Sequence, residues 1–334
     1  MILSIAAIVV GLVLLVWSAD WFVDGAVGVA HFFGMSTFLI GMVIVGFGTS
    51  APEMVVSVLS ALNNTPQLAL GNAYGSNIAN IALILGVTAL IIPVVVQKQA
   101  MSRDIPILIA MTVLTVFLLI DGNVSRMDGI VLLLAFVAIM AFNIMSELRQ
   151  KRKRKKTAAA DDLDSEYGSA EKVSIVSSSL LLLMGLLLLI VSSRMLVWGA
   201  VNVAQALGVS DLLIGLTIVA VGTSLPELAS SIAAARRGEN DLAVGNVIGS
   251  NIFNTLVVVG LASVIAPIQA ADPEVMSRDV PIMSALTLLL FLMSFPFLKR
   301  KRKKGGQFGF GRIGGALLLS LYVAYLVLLG IQAA

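Results

Sequence analysis

Long apolar stretches alternate with short polar breaks along the whole chain. Most approach 20 residues, about the length at which an α-helix crosses a ~30 Å hydrocarbon core. Read this way, the pattern predicts ten spans, at 2–32, 37–62, 68–95, 104–120, 128–148, 173–206, 211–235, 242–267, 279–298 and 311–331. The first and sixth are longer than a crossing requires, so both should tilt or project past the bilayer. The apolar stretch from Met1 to Trp17 has no basic leader and no small-residue cleavage site, so it reads as a retained first helix. A membrane β-barrel would show alternating segments of about 10 residues instead.

The polar breaks are not random. Gly48-Thr49-Ser50-Ala51-Pro52-Glu53, followed by Gly71-Asn72 and Gly75-Ser76-Asn77 through Asn80, recurs as Gly222-Thr223-Ser224-Leu225-Pro226-Glu227, followed by Gly245-Asn246 and Gly249-Ser250-Asn251 through Asn254. The offset is 174 residues in both parts (227 − 53 and 254 − 80). Further on, Met101-Ser102-Arg103-Asp104-Ile105-Pro106 returns as Met276-Ser277-Arg278-Asp279-Val280-Pro281. Five spans per half is an odd number, so the halves, 1–148 and 173–334, are expected to lie in the membrane with opposite orientation. Inverted repeats are a recurring plan of secondary transporters, whose sites form near the midplane where interrupted helices meet. The expected fold is therefore an all-α polytopic membrane protein of two inverted five-helix repeats, with helices two and seven broken.

Composition agrees. The chain is 58% hydrophobic and 12% charged, with a mean hydropathy of +1.00; soluble domains carry about 25% charged residues. Basic residues gather after span five (Arg149 to Lys156), after span nine (Lys299 to Lys304), after span seven (Arg236, Arg237) and after span three (Lys98, Arg103). The positive-inside rule places these loops in the cytoplasm and both termini outside, in a cell (inner) membrane. The same rule accounts for the Lys/Arg runs without nucleic acid. The segment 149–172, turning from basic to acidic, is read as a charged cytoplasmic linker. With no cysteine and a single histidine, disulfides, zinc centres and Cys-His catalysis are excluded, and any metal must be held by oxygen.

Glu53 and Glu227 fall near the middle of spans two and seven. An ionised side chain there costs roughly 2.5–3.5 kcal/mol on insertion scales, so it is expected to meet a cation or water. Pro52 and Pro226 cannot donate to the carbonyls of Gly48 and Gly222 four residues back. Carbonyls around Gly46 to Thr49 and Ala220 to Thr223 are thus candidates to point inward, as irregular backbone at depth does when it lines a cavity. The i, i+4 spacing of Ser76 with Asn80, and of Ser250 with Asn254, sets a hydroxyl and an amide on one helix face. Together the copies offer two carboxylates, hydroxyls, amides and carbonyls. Calcium takes about 6–8 such oxygens in flexible geometry, whereas magnesium demands octahedral order and keeps its water. One Gly-x-x-x-Gly or one helix proline alone would be a packing device; two matched copies point to a site.

The doubled motif resembles the α-repeats of the cation/calcium antiporter superfamily, the prokaryotic sodium/calcium exchangers above all, over essentially the whole chain. The resemblance implies a ten-helix exchanger with four adjacent cation sites between broken helices two, three, seven and eight. It implies that Glu53 and Glu227 bind both ions, that Thr49, Ser50, Thr223, Ser224, Ser76 and Ser250 contribute oxygens with Asn80 beside them, and that carbonyls of Gly46 and Ala220 complete the sodium sites. Helices one and six would slide across this core. Ca2+ and Na+ would be cargo rather than cofactors, the lipid bilayer the surroundings, and a monomer is compatible with the scheme. Archaeal and potassium-dependent relatives typically carry Asp where this chain has Asn254, so this core holds two formal negative charges rather than three. That argues against potassium co-transport and opens the question of sodium coupling.

Three other functions compete. A Ca2+/H+ exchanger usually has an acidic residue in the Gly-Asn motif, and neither copy here has one. Channels commonly use rings of symmetric subunits, and an intramembrane hydrolase would need a base beside its nucleophile. Asp20, Asp24 and His31 are expected at the interface, with Trp17, Trp21 and Trp198 as interface anchors. No catalytic residue is expected.

Overall fold

In the computed structural model, the described residues are 1–96, 100–158, 174–208, 218, 220–269, 273–294 and 308–333. Helix α1 (Ile2–Phe33) ends at Gly34, whose left-handed φ of 57° lets its N–H cap the Ala30 and His31 carbonyls. Ser36 opens α2 (Thr37–Thr49) by accepting from Leu39 N at 3.3 Å. A 45° bend follows before α3 (Ala51–Leu62). Then come α4 (Gln67–Ile91), α5 (Ala100–Leu118), α6 (Arg126–Ala158) and α7 (Ile175–Ala206). The second half continues with α8 (Ala220–Thr223), α9 (Leu225–Arg236), α10 (Asn240–Ile265), α11 (Val275–Ser294) and α12 (Arg312–Ala333). Among the described residues, eight helices are long and apolar enough to cross a membrane, and the bent α2–α3 pair makes a ninth span. The expected seventh span, 211–235, begins outside the described residues.

Three expectations need correction. The chain is not wholly helical: β1 (Val94–Val96) pairs antiparallel with β2 (Phe308–Phe310), Val94 opposite Phe310, and Val124 bridges Ile268. The helix expected to reach residue 95 stops at Ile91 because Pro93 drives Ile92 into extended backbone, φ −135° and ψ 126°. β-branched valines then favour a strand. The basic run after span five is also not all linker. Helix α6 continues to Ala158, since Lys and Arg are good helix formers and nothing breaks the helix there. Residues 159–173 and the basic cluster Lys299–Lys304 lie outside the described residues.

Burial sorts the helices. Within α4 and α10, 72% and 83% of the membrane-length window is buried, against 33% and 28% for α1 and α7. The first pair is the centre; the second flanks it. Helices α1 and α7 pack on each other at glycines: a Cβ on Gly25 would lie 2.3 Å from Leu182 N, and one on Gly185 2.5 Å from Phe22 N. Near the start of α1, Ser4 and Ile8 meet Gly199. Contacts that rise along α1 as they fall along α7 make the two helices antiparallel. The elements themselves recur: α3 and α9 share the 174-residue offset (225 − 51), as do π-helical turns at Ala79–Ile84 and Phe253–Val258 (253 − 79).

Candidate cation site

Each half bends at the residue before its Ala/Leu-Pro-Glu. Ser50 (φ −85°, ψ 4°) separates α2 from α3, and Ser224 (φ −91°, ψ 7°) separates α8 from α9. Proline sits in the first turn after each bend, where its missing N–H costs nothing. Glu53 and Glu227 follow in the same first turn, near the N-terminal end of the helix macrodipole, which favours negative charge.

Helix α10 runs alongside α2 at backbone contact. A Cβ on Gly245 would lie 2.4 Å from Phe38 O, and one on Gly249 2.2 Å from Met42 O. Only glycine allows that approach. It carries Ser250 and Asn246 up to Gly46 and Thr49: Thr49 Oγ1 shares its one proton between Val45 O at 3.0 Å and Asn246 Oδ1 at 3.2 Å. Ser50 Oγ reaches Glu227 Oε1 at 3.3 Å. Asn80 Nδ2 reaches Asn251 Oδ1 at 3.3 Å, and Asn77 Nδ2 reaches Thr255 Oγ1 at 2.8 Å. Four links thus join the halves through the motif residues.

The carboxylates are what remain unmatched. Glu53, Glu227, Ser224, Ser250, Asn80 and Asn254 are all buried. Both carboxylate oxygens of Glu53, Oε2 of Glu227, the hydroxyls of Ser224 and Ser250, Oδ1 of Asn80 and both polar atoms of the Asn254 amide have no hydrogen-bond partner. Buried polar groups are paired in folded proteins with few exceptions, and each one left open costs about 1–3 kcal/mol. Buried open oxygens on the motif helices that carry two acids are the donor types of a hard-cation cage. Among the described residues no cluster of three or more His, Asp or Glu side chains forms, so a cation here would rest on two carboxylates and neutral oxygens.

Other expected residues are placed less centrally. Ser76 is buried and Thr223 half-buried; both line a cavity of about 230 Å³ with Asn72, Arg278 and Asp279. Gly46 O accepts from Ser50 N at 3.1 Å, so one of its lone pairs is already engaged. Ala220 opens the single turn of α8. The shared face expected for Ser76 with Asn80, and Ser250 with Asn254, holds for an unbroken α-helix. Here π-helical turns start at Ala79 and Phe253 and alter the phase between the two members.

Sequence reasoning missed the groups that brace the site. Asn72 Nδ2 donates to Glu53 O at 3.1 Å and to Ser57 Oγ at 3.0 Å. Asn246 Nδ2 likewise holds Glu227 O at 3.4 Å, Ser230 Oγ at 3.1 Å and Ser231 Oγ at 3.0 Å. The repeat could have signalled them, because Asn72, Ser57 and Glu53 recur together at 246, 231 and 227. Ser193 of α7 had no such signal: its hydroxyl donates to Gly222 O at 2.9 Å, the carbonyl that Pro226 leaves open, and the matching residue on α1 is Ala19.

The family model for the sodium/calcium exchanger protein matches residues 3–145 and 177–330. The chain belongs to the sodium/calcium exchanger family. It is 41% identical to CaxA of Alkalimonas amylolytica over 332 residues, covering 98% of this chain and 99% of that protein. The inner membrane protein YrbG of Escherichia coli is 38% identical over 320 residues, covering 95% and 96%. Solved structures of the sodium-calcium exchanger NCX_Mj, among them one soaked with Na+ and Ca2+, superpose with a TM-score of 0.79 at 33% identity and cover 98% of both chains. The chain is thus a helical membrane cation antiporter of the cation/calcium antiporter superfamily, a family of transporters rather than enzymes.

Proposed function

We propose that this exchanger moves Na+ against Ca2+ by alternating access to the site built on Glu53 and Glu227. One observation carries the reading: the carboxylate oxygens of Glu53 and Oε2 of Glu227 are buried without a donor, as are oxygens of Ser224, Ser250, Asn80 and Asn254 in the same paired motifs. Ions of different valence competing for one acidic cage cannot be held together, so each biases the inward/outward equilibrium, and either gradient drives the other ion. Thr49, Ser50, Thr223, Ser76 and the carbonyls of Gly46 and Ala220 complete the proposed ligand set.

The halves 1–148 and 173–334 act as inverted five-helix repeats with ten spans in all, both termini outside and the basic loops cytoplasmic. The antiparallel packing of the equivalent helices α1 and α7 supports the inversion, and that pair is the element proposed to slide across the α2–α4 and α8–α10 core in a monomer. Sodium-gradient-driven 45Ca2+ uptake into proteoliposomes tests the coupling. Uptake that follows a pH gradient and ignores sodium would replace the reading with Ca2+/H+ exchange; single-channel currents would replace it with a channel.

A further inference from the structure

A charge that the exchange reaction does not use stands beside the two helix bends. A cavity of about 40 Å³ lies between α7 and the two bends, lined by Pro52, Gly222, Thr223 and Pro226 from the site helices and by Ser193 and Arg194 from α7. Each proline immediately precedes a site glutamate. Arg194 is exposed and lies 19 residues into the 32-residue helix (194 − 175), a depth at which a guanidinium is expected to meet water or protein. Among the described residues it forms no ion pair. Ser193, one residue before it, is anchored to Gly222 O.

The repeat shows that this placement is not forced by the fold. The position of α1 equivalent to Arg194 is Asp20 (194 − 174). Asp20 and Asp24 pair instead with Arg237 at the C-terminal end of α9. One flanking helix thus pairs its charge with Arg237, and the other sets a permanent cation in the cavity beside Pro52 and Pro226, since a guanidinium does not lose its proton in a protein.

We propose that Arg194 is a fixed counter-charge at the mouth of the cation site that sets its preference between monovalent and divalent ions. The inference rests on the exchange reading above. A fixed charge repels a bound ion in proportion to that ion's valence. Arg194 thus weakens Ca2+ more than Na+, which narrows the gap between the two affinities and lets sodium displace calcium. It also balances part of the carboxylate charge when the cage is empty.

The test uses the purified full-length protein in detergent, with Ca2+ affinity from isothermal titration calorimetry and Na+ affinity from displacement of Ca2+. Arg194→Met and Arg194→Gln should tighten Ca2+ about tenfold and Na+ about threefold per ion, the square root expected for half the charge. Arg194→Lys should keep wild-type values for both. Equal factors for the two ions, unchanged affinities in both neutral variants, or a lysine variant that moves as far as methionine would overturn the proposal. Two neutral variants of different shape separate lost charge from lost packing. A wild-type protein that binds no Ca2+ would overturn the exchange reading itself, irrespective of the variants.

Discussion

Glu53→Gln should leave the ion-free protein at least as stable as wild type while removing most of its stabilisation by calcium. Both carboxylate oxygens of Glu53 are buried with no hydrogen-bond partner. An uncompensated buried ion costs several kcal/mol, whereas a neutral amide in the same space leaves open polar groups at about 1–3 kcal/mol each. The unloaded site is therefore not weakened by the exchange of side chain. Loading is another matter. Calcium at 100 times its Kd stabilises the wild type by about 2.7 kcal/mol through mass action. Truncating one partner of a buried charge pair costs about 2–5 kcal/mol, and the lower end already weakens binding roughly 30-fold. At that same calcium concentration the variant would gain only about 0.9 kcal/mol. Thermal melting of both proteins in chelator and in calcium reads both halves of the prediction. A variant that melts lower in chelator yet keeps the wild-type calcium increment would refute the placement of Glu53 in the cage.

Gly249→Ala adds a Cβ 2.2 Å from Met42 O, so α2 and α10 must separate by about 1 Å, at an overpacking cost of about 1–3 kcal/mol; a lower melting temperature and weaker Ca2+ binding check it. Asn246→Ala removes the donor to Glu227 O, Ser230 and Ser231 and the acceptor of Thr49. A loss of about 1–3 kcal/mol in denaturation is expected, together with weaker ion binding. Asn254→Asp adds a third carboxylate at a buried amide whose polar atoms are all open; tighter Ca2+ binding or a changed sodium Hill slope is expected, and neither changing would place residue 254 outside the cage.

Much of this protein was legible along the chain. Apolar runs of membrane length and two matched Gly-Thr-Ser-x-Pro-Glu stretches specify where helices cross, where they break and which residues are polar at depth, because hydrocarbon tolerates a carboxylate or open backbone only for a reason. The bends at Ser50 and Ser224 follow from the prolines two residues on. Other features arise from contacts between distant segments. The strand pair of Val94–Val96 with Phe308–Phe310 needs a partner more than 200 residues away (310 − 94 = 216). The glycines at 245 and 249 bring α10 onto α2, and only then does Asn246 meet Thr49. The repeat could not reveal the differences between its own halves: Ser193 against Ala19, or Arg194 beside the two bends while Asp20 pairs with Arg237. Local composition decides what a segment can become in a membrane, and the sequence alone carries that. Which open oxygens share one space, and which charge stands at its mouth, depends on distances between segments that only tertiary packing sets.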